Sequence, residues 1–266
     1  METADGAGPG PRIALLVQYD GTGFNGWQVQ NGGRTVQGEI ERAVRVLTGA
    51  ERRLTAAGRT DSGVHALGQV AHFDCPIRIG LKRLCTGLSG ILDRDVSVIN
   101  AYAVTSDFHA RYGAIAREYQ YLVYNGRQRS PFMLHRAMWV HHPLDVEYLR
   151  AASSYLVGEL DFASFCKKIS ADGVTTRRLD SIEIDRIDDL VVFRLRGNAF
   201  LHNMIRIIIG TLCDMQRRGD KPERMLEILA GRDRDRAGAT APPYGLYLKR
   251  VEYATPLETY ESAYPL

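Results

Sequence analysis

Several things are scarce in this sequence, and each shortage removes a class of chemistry. Cysteine is rare: among 266 residues only Cys75, Cys85, Cys166 and Cys213 occur, none two or three positions from another. That spacing argues against a zinc knuckle or a dithiol redox centre, and in a reducing compartment the four read as buried thiols. The seven histidines form no HExxH or comparable ligand spacing. Adjacent His141 and His142 would point to opposite faces of a strand, so no metal is expected. Long apolar runs are lacking too. The most apolar stretch, MIRIIIGTLC from Met204 to Cys213, contains Arg206 and falls short of the ~20 residues that cross a bilayer. Residues 1–11, METADGAGPGP, have neither the basic start nor the apolar stretch of a secretory signal; a disordered tail and a cytoplasmic location are expected. No excess of one charge sign stands out, the net charge being +3. Cut after Tyr112, the chain has 12 basic against 11 acidic residues, then 22 against 20, so there is no basic tail. An anionic partner would have to meet a patch made by folding.

What is present is an ordinary globular composition, 45% hydrophobic and 24% charged, long enough for one large domain or two modest ones. Of the 34 cationic residues 29 are arginine, the residue suited to bidentate phosphate contact and to stacking on bases. A codon bias towards arginine gives the same count.

The periodicity divides the chain into two runs of similar grammar. Ile13–Asp20 reads as a strand broken by Gly21, Gly23 and Gly26. A helix is expected from Thr35, with Val36, Ile40, Val44 and Leu47 at helical spacing and Gly49 past its end. Strands at Leu54–Ala57, Gly68–Asp74 and Val96–Val104 and a helix at Leu81–Gly90 complete a first α+β half, residues 12–107, with helices over one sheet face. The pattern restarts in residues 108–254. Strands are read at Glu118–Asn125 and Ala137–His141, then a helix capped by Asp145 and ended at Gly158. A hairpin of Arg178–Asp185 with Leu190–Gly197, a helix striped by Ile205, Ile208, Ile209 and Leu212, a short helix from Pro222 to Gly231 and a strand at Leu246–Tyr253 follow. Residues 255–266 read as a C-terminal tail. Two such units suggest a pseudo-symmetric pair with a cleft between, a favoured place for a binding site.

Within the first half, GRTDSGVHALG (Gly58–Gly68) is the segment richest in chemistry. Asp61 among glycines fits a turn former. It fits equally an oriented carboxylate: on extended backbone Arg59 and Asp61 share a side, so the guanidinium could hold the carboxylate ionised and aimed, as a nucleophile or base must be. Nearby patterns fail on context. GTGFNG (Gly21–Gly26) satisfies GxGxxG, yet the polar, glycine-broken WQVQNGGR follows where a dinucleotide site needs a helix. Ser62 beside Asp61 with His65 nearby resembles a hydrolase triad but lacks a GxSxG elbow. REYQYLVY (Arg117–Tyr124) has the aromatic spacing of a base-stacking strand without the glycine of that signature, and Tyr119 and Tyr121 fit core positions as well.

Five blocks in order carry a family resemblance: YDGTGFNGWQVQ, GRTDSGVHALGQV, FHARYGAIAREYQYLVYN, GNAFLHNMIRIIIGTL and APPYGLYL. Together they resemble the TruA family of tRNA pseudouridine synthases, over nearly the whole span from Arg12 to Tyr253. The resemblance implies an α+β fold of two RNA-recognition-like (ferredoxin-like) halves. Their sheets would join into one mixed, mainly antiparallel sheet, with helices on the outer face and a central active-site cleft. It implies a homodimer that takes tRNA as partner, uses no cofactor and isomerises uridine in the anticodon stem-loop, at positions 38 to 40 in the bacterial members. By the same resemblance Asp61 matches the catalytic aspartate, Arg59 its arginine neighbour, Arg206 the arginine of the last helix that pairs with that aspartate, and Tyr119 the tyrosine packed on the target uracil. Asn203 and Ile207 stand where some members carry histidine and asparagine, and Ser62 where many carry alanine. Arg34, Arg52, Arg53, Arg78, Arg83 and Arg177 are expected, as a group only, to supply phosphate contacts.

Overall fold

The computed structural model describes residues 10–75, 79–167 and 173–265. The tail expected at 1–11 and the phosphate contact expected of Arg78 lie wholly or largely outside them. The chain is α+β, with eleven strands and five helices among the described residues. The described residues form two compact units, one from within 1–115 and 250–266, the other from within 116–249.

In the first unit β1 (Arg12–Tyr19) lies between β3 (His65–Asp74) and β4 (Val96–Ala103), antiparallel to both, and the two-residue β2 (Thr55–Ala56) pairs with β3. Helices α1 (Val36–Thr48) and α2 (Leu81–Ile91) make the connections. The start of α1 follows from its residues: Thr35 Oγ1 accepts the Gly38 N–H, and Val36, Ile40, Ala43 and Val44 put one buried stripe inward. The strands alternate as well. Ile13, Leu15 and Val17 are buried on one face, while Ala14, with Val70 and Tyr102, belongs to a cluster on the other. That second face is closed by Phe108, Ala110, Tyr253 and Leu257.

This closure moves the expected boundaries. The break placed after Asp107 lies inside the first unit, because the Ala110 N–H donates to His72 Nδ1 at 3.2 Å and Tyr253 Oη donates to the Ala110 carbonyl at 2.8 Å. Residues 255–266, expected as a tail, contain β11 (Glu261–Ser262), which pairs with β4. The Asn100 amide holds this segment by both backbone groups of one residue, donating to the Tyr264 carbonyl and accepting the Tyr264 N–H. Each large apolar side chain buried in such a cluster stabilises by about 1.5–3 kcal/mol. A two-residue strand carries no periodicity, so its sequence could not announce it.

In the second unit β5 (Ala114–Tyr124), whose first two residues still count with the first unit, pairs with β9 (Leu190–Gly197), β9 with β8 (Thr176–Ile187) and β8 with β7 (Gly158–Asp161), all antiparallel. The short β6 (Met138–Trp139) runs parallel to β5. Tyr121 faces Phe193 and Val123 faces Val191 across the ladder, all buried. Helix α3 (Val146–Ser154) packs on β8 and α4 (Met204–Arg218) on α3, followed by α5 (Arg224–Gly231). Asp145 caps α3 as expected, its carboxylate accepting the N–H groups of Glu147 and Tyr148. Gly158 does not simply end that helix; it opens β7, too short to show alternation. The chain passes from the second unit back to the first within β10 (Leu246–Tyr253).

Candidate active site

Asp61 sits on an irregular segment between β2 and β3, held from beneath by the chain that follows β1. The Val64 N–H donates to the Asp61 carbonyl at 3.1 Å, closing a turn immediately after the carboxylate. Thr60, buried between exposed Arg59 and half-buried Asp61, shares a hydrogen bond with Tyr19 Oη at 2.8 Å. The Thr60 carbonyl accepts the Trp27 N–H, and the Phe24 carbonyl accepts both Ser62 Oγ and the Gly63 N–H. Tyr19 and Trp27 pack ring on ring beneath, 6.0 Å apart.

The GTGFNG segment acquires its meaning here. A Cβ on Gly26 would stand 2.7 Å from the Thr60 carbonyl oxygen, and one on Gly21 would collide with the Val64 carbonyl. These two glycines let one backbone lie against another, cradling the Asp61 turn instead of a pyrophosphate. No helix opens at Gly26; α1 starts ten residues on. The hydrolase-like trio also resolves into structural work, since Ser62 bonds a backbone carbonyl and His65 Nδ1 accepts the Gly21 N–H at 3.0 Å. Arg59 and Asp61 flank the buried Thr60, Arg59 exposed and Asp61 half-buried. The turn bends the chain at Asp61, so alternation on extended backbone does not carry through it.

In the second unit the other expected residues occupy regular elements. Tyr119 is buried on β5, its ring edge-on to Phe200 with centroids 5.0 Å apart. Tyr121, two positions on, is fully buried, and its hydroxyl donates to the Pro242 carbonyl, which makes it core. Desolvation raises its pKa well above that of a free phenol. Arg206 lies in the first turn of α4, half-buried; its Nε donates to the Ala241 carbonyl at 2.8 Å and one Nη to the Asn203 side-chain oxygen at 2.6 Å. Asn203 itself starts the helix with φ 62. Gly210 lets residues 238–241 run against α4, for a Cβ there would strike the Ala239 carbonyl. Ile207 is core. A surface hollow of about 410 Å³ lies at the opposite end of α4, around Asp214 and Arg218, away from Arg206.

Of the arginines expected on phosphate, Arg34 is taken: Asp93, Asp95 and Glu39 surround it and Phe24 lies under its guanidinium. Arg53 stands 3.8 Å from Glu41, Arg177 donates to neighbouring carbonyls, and Arg52 and Arg83 are exposed. All four cysteines are buried and none forms a disulfide among the described residues, and burial pushes the Cys85 thiol up to about 11. Among the described residues no three His, Cys, Asp or Glu side chains converge as a metal site, and no helix is long and apolar enough to cross a membrane.

The residues missed by sequence reading are those that hold Asp61 in place: Tyr19, Thr60, Gly21, Gly26 and His65. The signal existed in the glycines, read as a decoy rather than as a surface for close approach.

Comparison with known proteins places this arrangement. The family model for tRNA pseudouridine synthase matches residues 15–113 and 152–254. A tRNA pseudouridine synthase A of Methylococcus capsulatus is 44% identical over 242 residues, 91% of this chain and 89% of that one. One of Acetivibrio thermocellus is 41% identical over 91% of this chain and 99% of its own length, and one of Shouchella clausii 42% identical over 92% and 95%. By this match over both units, the chain belongs to the tRNA pseudouridine synthases, isomerases that act on uridine in RNA.

Proposed function

We propose that this enzyme converts uridine to pseudouridine in the anticodon stem-loop of tRNA, at positions 38 to 40, with Asp61 as nucleophile and no cofactor. The observation that carries this reading is the placement of Asp61: a part-exposed carboxylate on a backbone turn that Tyr19, Gly21, Gly26 and Thr60 immobilise. Rigid support of one acid at an otherwise irregular position is what a reacting group requires. The reaction breaks the bond from uracil N1 to ribose C1′ and makes one from C5 to C1′. N1 gains a proton and the C5 proton leaves to solvent, so nothing is oxidised or transferred and no cofactor has work to do. In this reading Arg206 and Tyr119 serve the same uridine, Arg206 orienting the carboxylate and Tyr119 stacking on the uracil, a contact worth about 1–3 kcal/mol. Arg59 acts on Asp61 in the RNA-bound enzyme. The target must be swung out of its stem first, at a few kcal/mol. RNA-recognition-like halves, a homodimer and a cytoplasmic setting belong to the same proposal.

Tritium release from C5-labelled uridine in unmodified tRNA tests it. Wild type should release tritium, and Asp61→Asn should fall by at least about 1,000-fold with its melting temperature unchanged. Undiminished release by Asp61→Asn would sink the assignment of the nucleophile. Release that persists when uridines 38, 39 and 40 are all replaced by cytidine would sink the site. A sedimentation mass of one chain at micromolar concentration would remove the homodimer.

A further inference from the structure

From Tyr119 to Leu144, 26 consecutive positions contain no Asp or Glu, while Arg127, Arg129, Arg136, His135, His141 and His142 all fall among them. The structure turns this stretch into a defined surface. After β5 the chain leaves the sheet, makes a 3-10 turn at Pro131–Met133 and returns as β6 beside the strand it left. The excursion is anchored at its base. The Asn125 amide donates to the Val140 and His142 carbonyls at 2.8 and 2.7 Å, Trp139 Nε1 donates to the Gly126 carbonyl at 3.0 Å, and Tyr247 Oη to the Arg136 carbonyl at 2.7 Å. At its tip Phe132 is 88% exposed and Leu134 67%. Ordered backbone that holds two large apolar side chains in water gains nothing for its own core.

The charges here differ from those on the nearby ladder of β8 and β9. There Arg178 and Arg196 share Asp180, and Arg150 and Arg194 share Asp185. Arg127 and Arg129, both exposed, have no carboxylate within 4.0 Å among the described residues, and Arg129 lies over the Trp139 ring at 5.2 Å. A stacked guanidinium keeps its N–H edges directed outward, suited to a phosphate.

We propose that this excursion is an RNA-contacting surface beyond the residues assigned to catalysis. Arg127 and Arg129 meet phosphates, and Phe132 meets an exposed base or ribose. The inference rests on the reading of tRNA as substrate. Charge complementarity selects a polyanion over a second copy of this chain, because an isologous contact through this patch would set its unpaired arginines against themselves.

The test titrates unmodified tRNA transcript with wild type, Arg127→Gln/Arg129→Gln and Phe132→Ala across a range of KCl, with sedimentation mass and tritium release at saturating tRNA measured alongside. The double glutamine variant should bind roughly tenfold more weakly at physiological salt, and its slope of log affinity on log salt should shrink by about two. Phe132→Ala should also bind about tenfold more weakly, with the slope unchanged. Both should keep the wild-type mass and the wild-type rate at saturation. Wild-type affinity and slope in both variants, beside a wild type that releases tritium, would overturn this surface and leave the catalytic reading standing. A halved mass in Phe132→Ala with tRNA affinity intact would assign the patch to a second copy and overturn it equally. Wild type that binds tRNA with the expected variant effects yet releases no tritium would support the surface and sink the catalytic reading alone.

Discussion

Asp61 and Arg206 are presented in opposite ways. Asp61 stands where no regular element supports it, so its position is set by residues about forty places earlier in sequence: a tyrosine hydroxyl on Thr60 and two glycines against the neighbouring carbonyls. Arg206 stands on a helix whose own hydrogen bonds fix its backbone, and bonds to Ala241 and Asn203 direct its guanidinium. Both arrangements use glycine for close approach, Gly21 and Gly26 in one and Gly210 in the other. A loop-borne carboxylate therefore depends on long-range packing for its geometry, whereas a helix-borne guanidinium depends on it mainly for side-chain direction.

The comparison breaks most sharply at Gly21. Gly21→Ala drives a methyl into the Val64 carbonyl, and thermal or urea unfolding should show a loss of at least about 3 kcal/mol, with activity falling further than the folded fraction explains. A variant with wild-type stability and rate would show that the cradle yields freely.

Next in size is a pH effect on the loop that closes the first unit's second sheet face. Burial, and then the neighbouring His109, hold the His72 pKa down at about 4, against 6.5 for a free imidazole. The folded state keeps His72 neutral while the unfolded chain takes up a proton. Its contribution is therefore complete above pH 6.5 and is lost as pH falls towards 4, by up to about 3 kcal/mol. Urea titrations at pH 7 and pH 4.5 should show that loss in wild type and little of it in His72→Gln. Equal slopes in the two proteins would place the acid sensitivity elsewhere.

Arg206→Lys sharpens the contrast from the helical side. Lysine retains the charge and loses the fork that bonds Ala241 and Asn203 at once, so tritium release should fall by roughly 100-fold, with stability changed by no more than about 1 kcal/mol. A variant with unaltered kcat would mean that charge alone suffices. The smallest expected effect overall is that of Tyr19→Phe. Loss of the hydroxyl on Thr60 should cost about 1–2 kcal/mol of stability, and a Thr60→Val partner mutation should recover part of it in a double-mutant cycle. A strictly additive cycle would deny the two residues a common role.

How much could be read in advance follows the same division. Helix α1 was legible down to its cap, since Thr35, the stripe from Val36 to Val44 and Gly49 are all local signals. The sequence pattern starts strand β3 at Gly68, whereas it begins at His65, because the turn after Asp61 ends sooner than the glycines suggest. Strands β7 and β11 are too short for any period, and β11 exists only because Asn100 and the β4 edge receive it. Arg59 shows the limit of local geometry: alternation assumes extended backbone, and the Val64 N–H bonded to the Asp61 carbonyl makes a turn there instead.

The sequence by itself determined the element types, the apolar faces, the family and the identity of the residues offered for chemistry, because periodicity, capping and ordered motifs reside in neighbours along the chain. Only the tertiary structure decided that GTGFNG cradles the Asp61 turn, that Arg34 is neutralised by three carboxylates while Arg127 and Arg129 are not, and that the last residues close a sheet face. Those outcomes depend on which backbone lies within a few ångströms of which, and contact across tens of residues leaves no mark in local pattern.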